Sequence, residues 1–170
     1  MIRFAFIALI LTSLTACWPT VFLSPNDNSY PEECKQFYIF PIEVASPTAP
    51  SNYGANLSEQ LRSGLQNNTK LKLANKLEDA QVQITGVIRS YSTAPSAIQQ
   101  NDQVAQNRLT VSVQFTIVTP SKGLEEMQLV STRFADYPAN TSLVDVENQL
   151  LEEINQQVTQ DLINKLLSNW

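Results

Sequence analysis

The sequence predicts an α+β fold, a two-layer sandwich of mostly antiparallel sheet with two helices on one face. Three observations lead there. From Arg108 to Val118 the apolar residues Leu109, Val111, Val113, Phe115 and Ile117 alternate with polar ones, the period of a strand that is dry on one side and wet on the other. From Ser142 to about Leu167 the chain runs without Gly or Pro, and Leu143, Val146, Leu150, Leu151, Ile154, Val158 and Leu162 fall within one sector of a helix. The periodic segments follow the order β-α-β-β-β-β-α, with no internal repeat and no second domain boundary.

Taken in order, the chain opens with Arg3 and an uncharged stretch from Phe4 to Leu14, too short for the ~20 residues a membrane-spanning helix needs and within the roughly 7–15 of a signal-peptide core. Residues 1–16 therefore read as a signal peptide. Leu14-Thr15-Ala16-Cys17 resembles the bacterial lipobox, in which the thiol is acylated before cleavage, so Cys17 is the expected lipidation site and mature N-terminus. A plain cleavage site with an incidental Cys also fits the apolar core but leaves the position of the thiol unexplained. Residues 17–35 form the lipidated Cys and a tether carrying Pro19, Pro25 and Pro31 with turn residues between them, and 36–170 form the domain.

Gln36–Val44, rich in aromatic and β-branched residues, predicts a strand, and Pro41 places it at a sheet edge. Asn56 with Glu59 three residues on marks a helix start, Leu57, Leu61 and Leu65 line its face, and Asn67-Asn68 close it through a left-handed cap. Lys70–Leu73 and Gln81–Tyr91 are further strands. After Arg108–Val118, Thr119–Gly123 makes a hairpin, and the next strand shifts phase between Met127/Leu129 and Val130/Phe134, as a bulge requires. Ser142 and Asp145 sit in capping-box spacing before the long helix, whose acidic residues crowd its N-terminal half while Lys165 lies near its end.

Composition removes most chemistry. The 170 residues carry a formal net charge of −5 with no run of Lys or Arg, so the electrostatic footprint of a nucleic-acid binder is missing. No histidine is present, which excludes a Ser-His-Asp triad, a Cys-His pair and a His-ligated metal. Gly54, Gly64, Gly86 and Gly123 lie too far apart for a phosphate loop. The adjacent carboxylates Glu32/Glu33, Glu78/Asp79, Glu125/Glu126 and Glu152/Glu153 point apart on strand or helix and read as solvated surface. No catalytic residue, metal site or cofactor is expected, and the chain is not read as an enzyme. Cys34 is either a buried apolar thiol or the donor of an intermolecular bridge. The 15 Gln and 14 Asn supply uncharged hydrogen-bonding groups, open to two roles: solubility in place of charge, or a surface meant for a polar wall such as a barrel lumen.

Asn107-Arg108-Leu109-Thr110-Val111, Arg133-Phe134-Ala135-Asp136-Tyr137, and Glu152-Glu153-Ile154 leading through Asp161-Leu162 to Asn169-Trp170 resemble the LptE-type LPS-assembly lipoproteins of the Gram-negative envelope. The resemblance covers about Phe37 to Trp170 and is weakest over the tether. It implies an outer-membrane lipoprotein, lipid-anchored at the periplasmic side or within a barrel lumen, that serves as plug and assembly partner of the LPS-translocating β-barrel and can bind LPS. Trp18 in place of Asp after Cys17 fits the outer-membrane sorting rule of such lipoproteins. Lys122, at the hairpin tip, is the candidate ligand-binding residue, an ammonium placed to meet a lipid A or core phosphate; its assignment comes from loop position. The competing reading is an accessory outer-membrane lipoprotein of a lipid-transporting ABC system.

Overall fold

A computed structural model describes residues 35–98, 104–120 and 125–168. The export signal, Cys17, the tether to Cys34, and Lys122 lie outside the described residues. The elements are β1 (Gln36–Ile39), β2 (Glu43–Val44), α1 (Tyr53–Asn68), β3 (Lys72–Leu73), a 3-10 turn at Leu77–Asp79, β4 (Val82–Ile98), β5 (Val104–Thr119), β6 (Glu125–Pro138) and α2 (Leu143–Ser168). They form one sheet ordered β3-β1-β4-β5-β6, with β2 paired to β4 beyond the end of β1. The three long strands pair antiparallel, and the short strands join parallel. The architecture is the expected α+β two-layer sandwich.

One continuous core joins the layers. Phe37, Ile39, Val82, Ile84, Ile88 and the alternating residues Leu109 to Ile117 face Leu57, Leu61 and Leu65 of α1 and Ile154, Val158 and Leu162 of α2. All of these side chains are fully or almost fully buried. Each buried aliphatic or aromatic group contributes about 1.5–3 kcal/mol relative to exposure, which outweighs the weak intrinsic preferences of the flanking polar residues.

Four local expectations are corrected. The strand over residues 36–44 is not one edge strand: the chain breaks at Pro41 into β1, which lies between β3 and β4, and the two-residue β2, which pairs with β4 alone and stands at an edge. Proline has no N–H to give the ladder, and the next donor, the Ile42 N–H, is taken by Ser58 Oγ at 3.2 Å, which itself donates to Gly54 O at 2.7 Å. A helix residue thus repairs the break. α1 starts at Tyr53 with Asn52 preceding it, not at Asn56, whose N–H already donates to Asn52 O at 3.1 Å. The buried Tyr53 draws the first turn inward, and a Cβ on Gly54 would collide with the Ile42 carbonyl oxygen. The helix ends where expected, but its cap residue Thr69 is extended (φ −134°), with Thr69 Oγ donating to Leu65 O at 2.6 Å and Asn68 Nδ2 to Gly64 O at 2.8 Å. Side chains satisfy these terminal carbonyls without a left-handed residue.

The fourth correction matters most for the surface. β6 has no bulge: its register with β5 runs unbroken from Thr119↔Glu125 to Gln106↔Pro138. Met127, Leu129, Ser131, Arg133, Ala135 and Tyr137 therefore share the helix side, and Val130 and Phe134 face away from it, 64% and 46% exposed. The bulge belongs to β4, where the partner of Ile88 is Val113 and that of Ser90 is Ser112, leaving Arg89 over. It turns Tyr91, opposite Val111, back into the core.

Candidate functional site

The side of the sheet that the helices leave open is built by strand alternation. β5 contributes Arg108, Thr110, Ser112, Gln114 and Thr116, each half-buried, while their odd-numbered neighbours from Leu109 to Ile117 are sealed beneath the helices. Cross-strand partners on this face are Thr85 and Val87 of β4 and Gln128, Val130, Thr132, Phe134 and Asp136 of β6. The polar groups are tied to one another: Ser112 Oγ and Thr132 Oγ1 lie 2.9 Å apart, and the bulged Arg89 donates through Nε to Gln114 Oε1 at 3.0 Å. Tyr38 and Phe40, on the outer side of β1 and the segment after it, meet edge to face at 5.2 Å. The result is a broad surface of hydroxyls and amides with aromatic groups near both margins.

One ion pair on this face is closed within the sheet. Arg108 grips Asp136 with two hydrogen bonds, Nε to Oδ1 at 2.7 Å and Nη2 to Oδ2 at 2.8 Å. Those bonds hold the Asp136 carboxyl below the usual carboxylate range. The same guanidinium lies 3.7 Å above the Phe134 ring, so it covers an aromatic group that would otherwise be bare.

The helix side is held in place by polar bolts as well as by packing. Tyr53 OH donates to Asn155 Oδ1 at 2.7 Å, joining α1 to α2 inside the core, and Tyr91 OH donates to Glu147 Oε1. Burial pushes both phenols well above their ordinary range, with the Glu147 carboxylate adding to the effect at Tyr91. At the other end of α2, Asp161 accepts from Ser131 Oγ at 2.5 Å and from Arg133 Nε at 2.7 Å, and Arg133 Nη2 reaches its second oxygen. Burial works against ionisation of Asp161, but the hydrogen bonds from Arg133 and Ser131 and the guanidinium charge outweigh it and lower the pKa.

Outside the sheet, the seam between α1 and α2 carries two shallow grooves, of about 390 and 310 Å³. Gln60 lines both, with Asn67, Asn68, Gln156 and Gln160 in one and Asn56, Asn148 and Asn155 in the other. The amide excess is therefore split between this seam and the sheet. Gln60 Oε1 is buried there with no hydrogen-bond partner among the described residues. No group of three or more Cys, Asp or Glu side chains able to hold a metal ion occurs among the described residues.

Thr110, Ser112, Gln114 and Thr116 stand together on the open face as the alternation requires. Glu78, Asp79, Glu125, Glu126, Glu152 and Glu153 are all exposed, in keeping with solvated surface. Sequence reasoning missed Phe134, Val130 and the Arg133–Asp161 bond. Extending the period of two unbroken from Met127 to Tyr137 finds the first two; the third depends on α2 crossing β6, which no local pattern shows.

Two solved structures share this fold. Rare lipoprotein B from Shewanella oneidensis superimposes with a TM-score of 0.55 at 19% identity, covering 79% of this chain and 96% of that one. Protein XCC0632 from Xanthomonas campestris gives 0.55 at 13% identity, covering 84% and 89%. No curated protein matches the chain closely enough to count as a relative. The family model described as LptE, Lipopolysaccharide-assembly, matches residues 35–166, and the chain belongs to that family.

Proposed function

We propose that this protein is an outer-membrane lipoprotein of lipopolysaccharide assembly, acting as plug and assembly partner within the LPS-translocating β-barrel. The family match over residues 35–166 carries the reading. In it, residues 1–16 direct export, acyl chains on Cys17 hold the chain at the periplasmic side of the membrane, residues 17–35 form the tether, and 36–170 form one domain. Two acyl chains or more give effectively stable anchoring, since each buried methylene contributes ~0.8 kcal/mol.

The open face supports the same reading. A barrel lumen is polar and penalises unpaired charge, and Thr110, Ser112, Gln114 and Thr116 present hydroxyls and an amide while Arg108 and Asp136 arrive already paired. Lys122 is the proposed contact to an LPS phosphate.

The test is affinity purification of the tagged chain from detergent-solubilised outer membrane. A complex burying well over ~2,000 Å² survives extraction and size exclusion. The barrel is expected to accompany the chain, and depletion of the chain is expected to lower folded barrel and surface LPS together. A chain that purifies alone, with barrel folding and surface LPS unaltered on depletion, overturns the plug assignment in favour of the transport-accessory role. Intact mass decides Cys17 acylation, and Lys122→Glu decides the phosphate contact through LPS binding at low salt.

A further inference from the structure

The chain has no run of lysines, but the fold gathers them. Lys35 leads into β1, Lys70 follows α1, Lys72 opens β3, Lys76 precedes the 3-10 turn, and Lys165 stands in the last turn of α2. These segments meet at one end of the sandwich. Lys72 N–H donates to Lys35 O at 2.9 Å, and Phe37 is level with Val82, the first residue of β4. Gln83 faces Val118 near the end of β5, and α2, whose Asp161 meets Ser131, runs back along β6 toward Glu125. The sixth lysine, Lys122, follows Thr119 in the sequence and lies outside the described residues.

Lys35, Lys70, Lys72 and Lys76 are exposed and Lys165 is half-buried. Among the described residues every ion pair belongs to an arginine, Arg62, Arg108 or Arg133, and none of these five lysines has a carboxylate partner. Glu78 and Asp79 share the β3 corner with four lysines, while Glu125 and Glu126 stand on β6 at the far edge of the sheet. Over the rest of the described domain four arginines face eight carboxylates. The domain is thus positive at one corner and negative away from it. The same corner receives the proposed tether, whose eighteen steps from Cys17 to Lys35 span ~23 Å on average as a coil, less than the ~39 Å length of the 26-residue α2.

We infer that the lysine corner is a membrane-contact surface, seated on the anionic phospholipid headgroups of the leaflet that holds the acyl chains; the inference rests on the acylation of Cys17 proposed above. A headgroup layer is a broad field of phosphates, which suits ammonium point charges on long stems, whereas the arginines of this domain are spent on planar carboxylate pairs. Each lysine near an anionic surface raises partitioning about five-fold, and an anchored chain needs only such weak contacts to choose which end faces the membrane. The end where α2 begins then lies farthest from that layer.

The test uses the chain from residue 17 onward with Cys17→Ala, made in the cytoplasm so that it meets neither acyl transfer nor barrel; it keeps every described residue, and a urea transition checks its fold. Sedimentation with phosphatidylcholine vesicles, with and without about 30% phosphatidylglycerol, reads the contact. At about 0.1 M salt the anionic vesicles are expected to bind at least about 10-fold more chain, and at 1 M, where the Debye length is ~3 Å, no more than the neutral ones. Lys72→Gln is expected to lower binding about five-fold, and Lys70→Gln, Lys72→Gln and Lys76→Gln together to abolish the difference. Asn140→Asp makes the same change in net charge at the opposite end and is expected to leave binding unchanged. Equal binding to both vesicles, equal losses from Lys72→Gln and Asn140→Asp, displacement by millimolar inorganic phosphate at constant ionic strength, or binding to LPS aggregates but not to phosphatidylglycerol each overturns the proposal. The barrel and the acyl chains take no part in these measurements, so their failure leaves the plug assignment and the acylation of Cys17 standing.

Discussion

Gln114 and Phe115 are neighbours on β5, yet one half-faces solvent across a bonded Arg89 and the other is fully enclosed beneath the helices. The two sides of this sheet do different work. The covered side is apolar, closely packed and joined to α1 and α2 by a few polar bolts; the open side is a sheet of hydroxyls and amides crossed by the Arg108–Asp136 pair. In the proposed reading, folding stability and recognition fall to opposite faces of the same strands, so substitutions on one face are expected to leave the other property almost untouched.

The sharpest separation is Phe115→Ala against Gln114→Ala. The first empties a fully buried aromatic site and is expected to cost about 3–5 kcal/mol in urea denaturation. The second is expected to stay within about 0.5 kcal/mol, as surface substitutions do. Equal losses would break the comparison. Tyr53→Phe comes next: it leaves the Asn155 acceptor buried and unpaired, at an expected cost of about 1–3 kcal/mol.

Asp161→Asn tests a bolt at the margin of the covered side, with an expected loss of about 1 kcal/mol at neutral pH. Because the folded protein lowers the pKa of Asp161, the ionised form is the stabilising one. Its contribution is complete above the ordinary aspartate value of about 3.9 and is lost as pH falls below it through the folded-state pKa. Stability curves of the parent and Asp161→Asn are therefore expected to converge in acid; a gap that persists under strongly acid conditions would mean packing, not charge, is what the substitution removes.

Smallest in stability and largest in recognition is Thr116→Glu. It is expected to change unfolding by less than about 0.5 kcal/mol while reducing recovery of the barrel from solubilised membrane, since the added charge would meet a polar lumen without a partner. Unchanged recovery would shift the contact to the amide-lined seam of α1 and α2, where Gln60→Ala is the corresponding probe.

Much of this division is legible in one dimension. Leu109 to Ile117 announce a half-buried strand because its period of two is uninterrupted, and Leu150 to Leu162 announce a covering helix because no Gly or Pro breaks the period of 3.6. β6 was harder. Val130 and Phe134 are apolar and Ser131 and Arg133 are not, so polarity assigns them to the wrong sides and suggests a bulge to reconcile the phases. The structure instead keeps one register, leaves Val130 exposed and supplies the other three with partners, Asp161 for Ser131 and Arg133, and Arg108 for Phe134.

From its sequence alone the chain determined its α+β class, the order of its principal elements, the core faces of β5 and α2 and the family to which it belongs, because these depend on periodicities that any chain segment carries within itself. Tertiary structure decided the place of β1 inside the sheet, the position of the bulge at Arg89 and which side of β6 meets the helices. Each of those depends on a hydrogen bond or ion pair between residues far apart in sequence, such as Ile42 with Ser58 or Arg133 with Asp161, and the energy of a buried polar group is set by whether such a partner arrives.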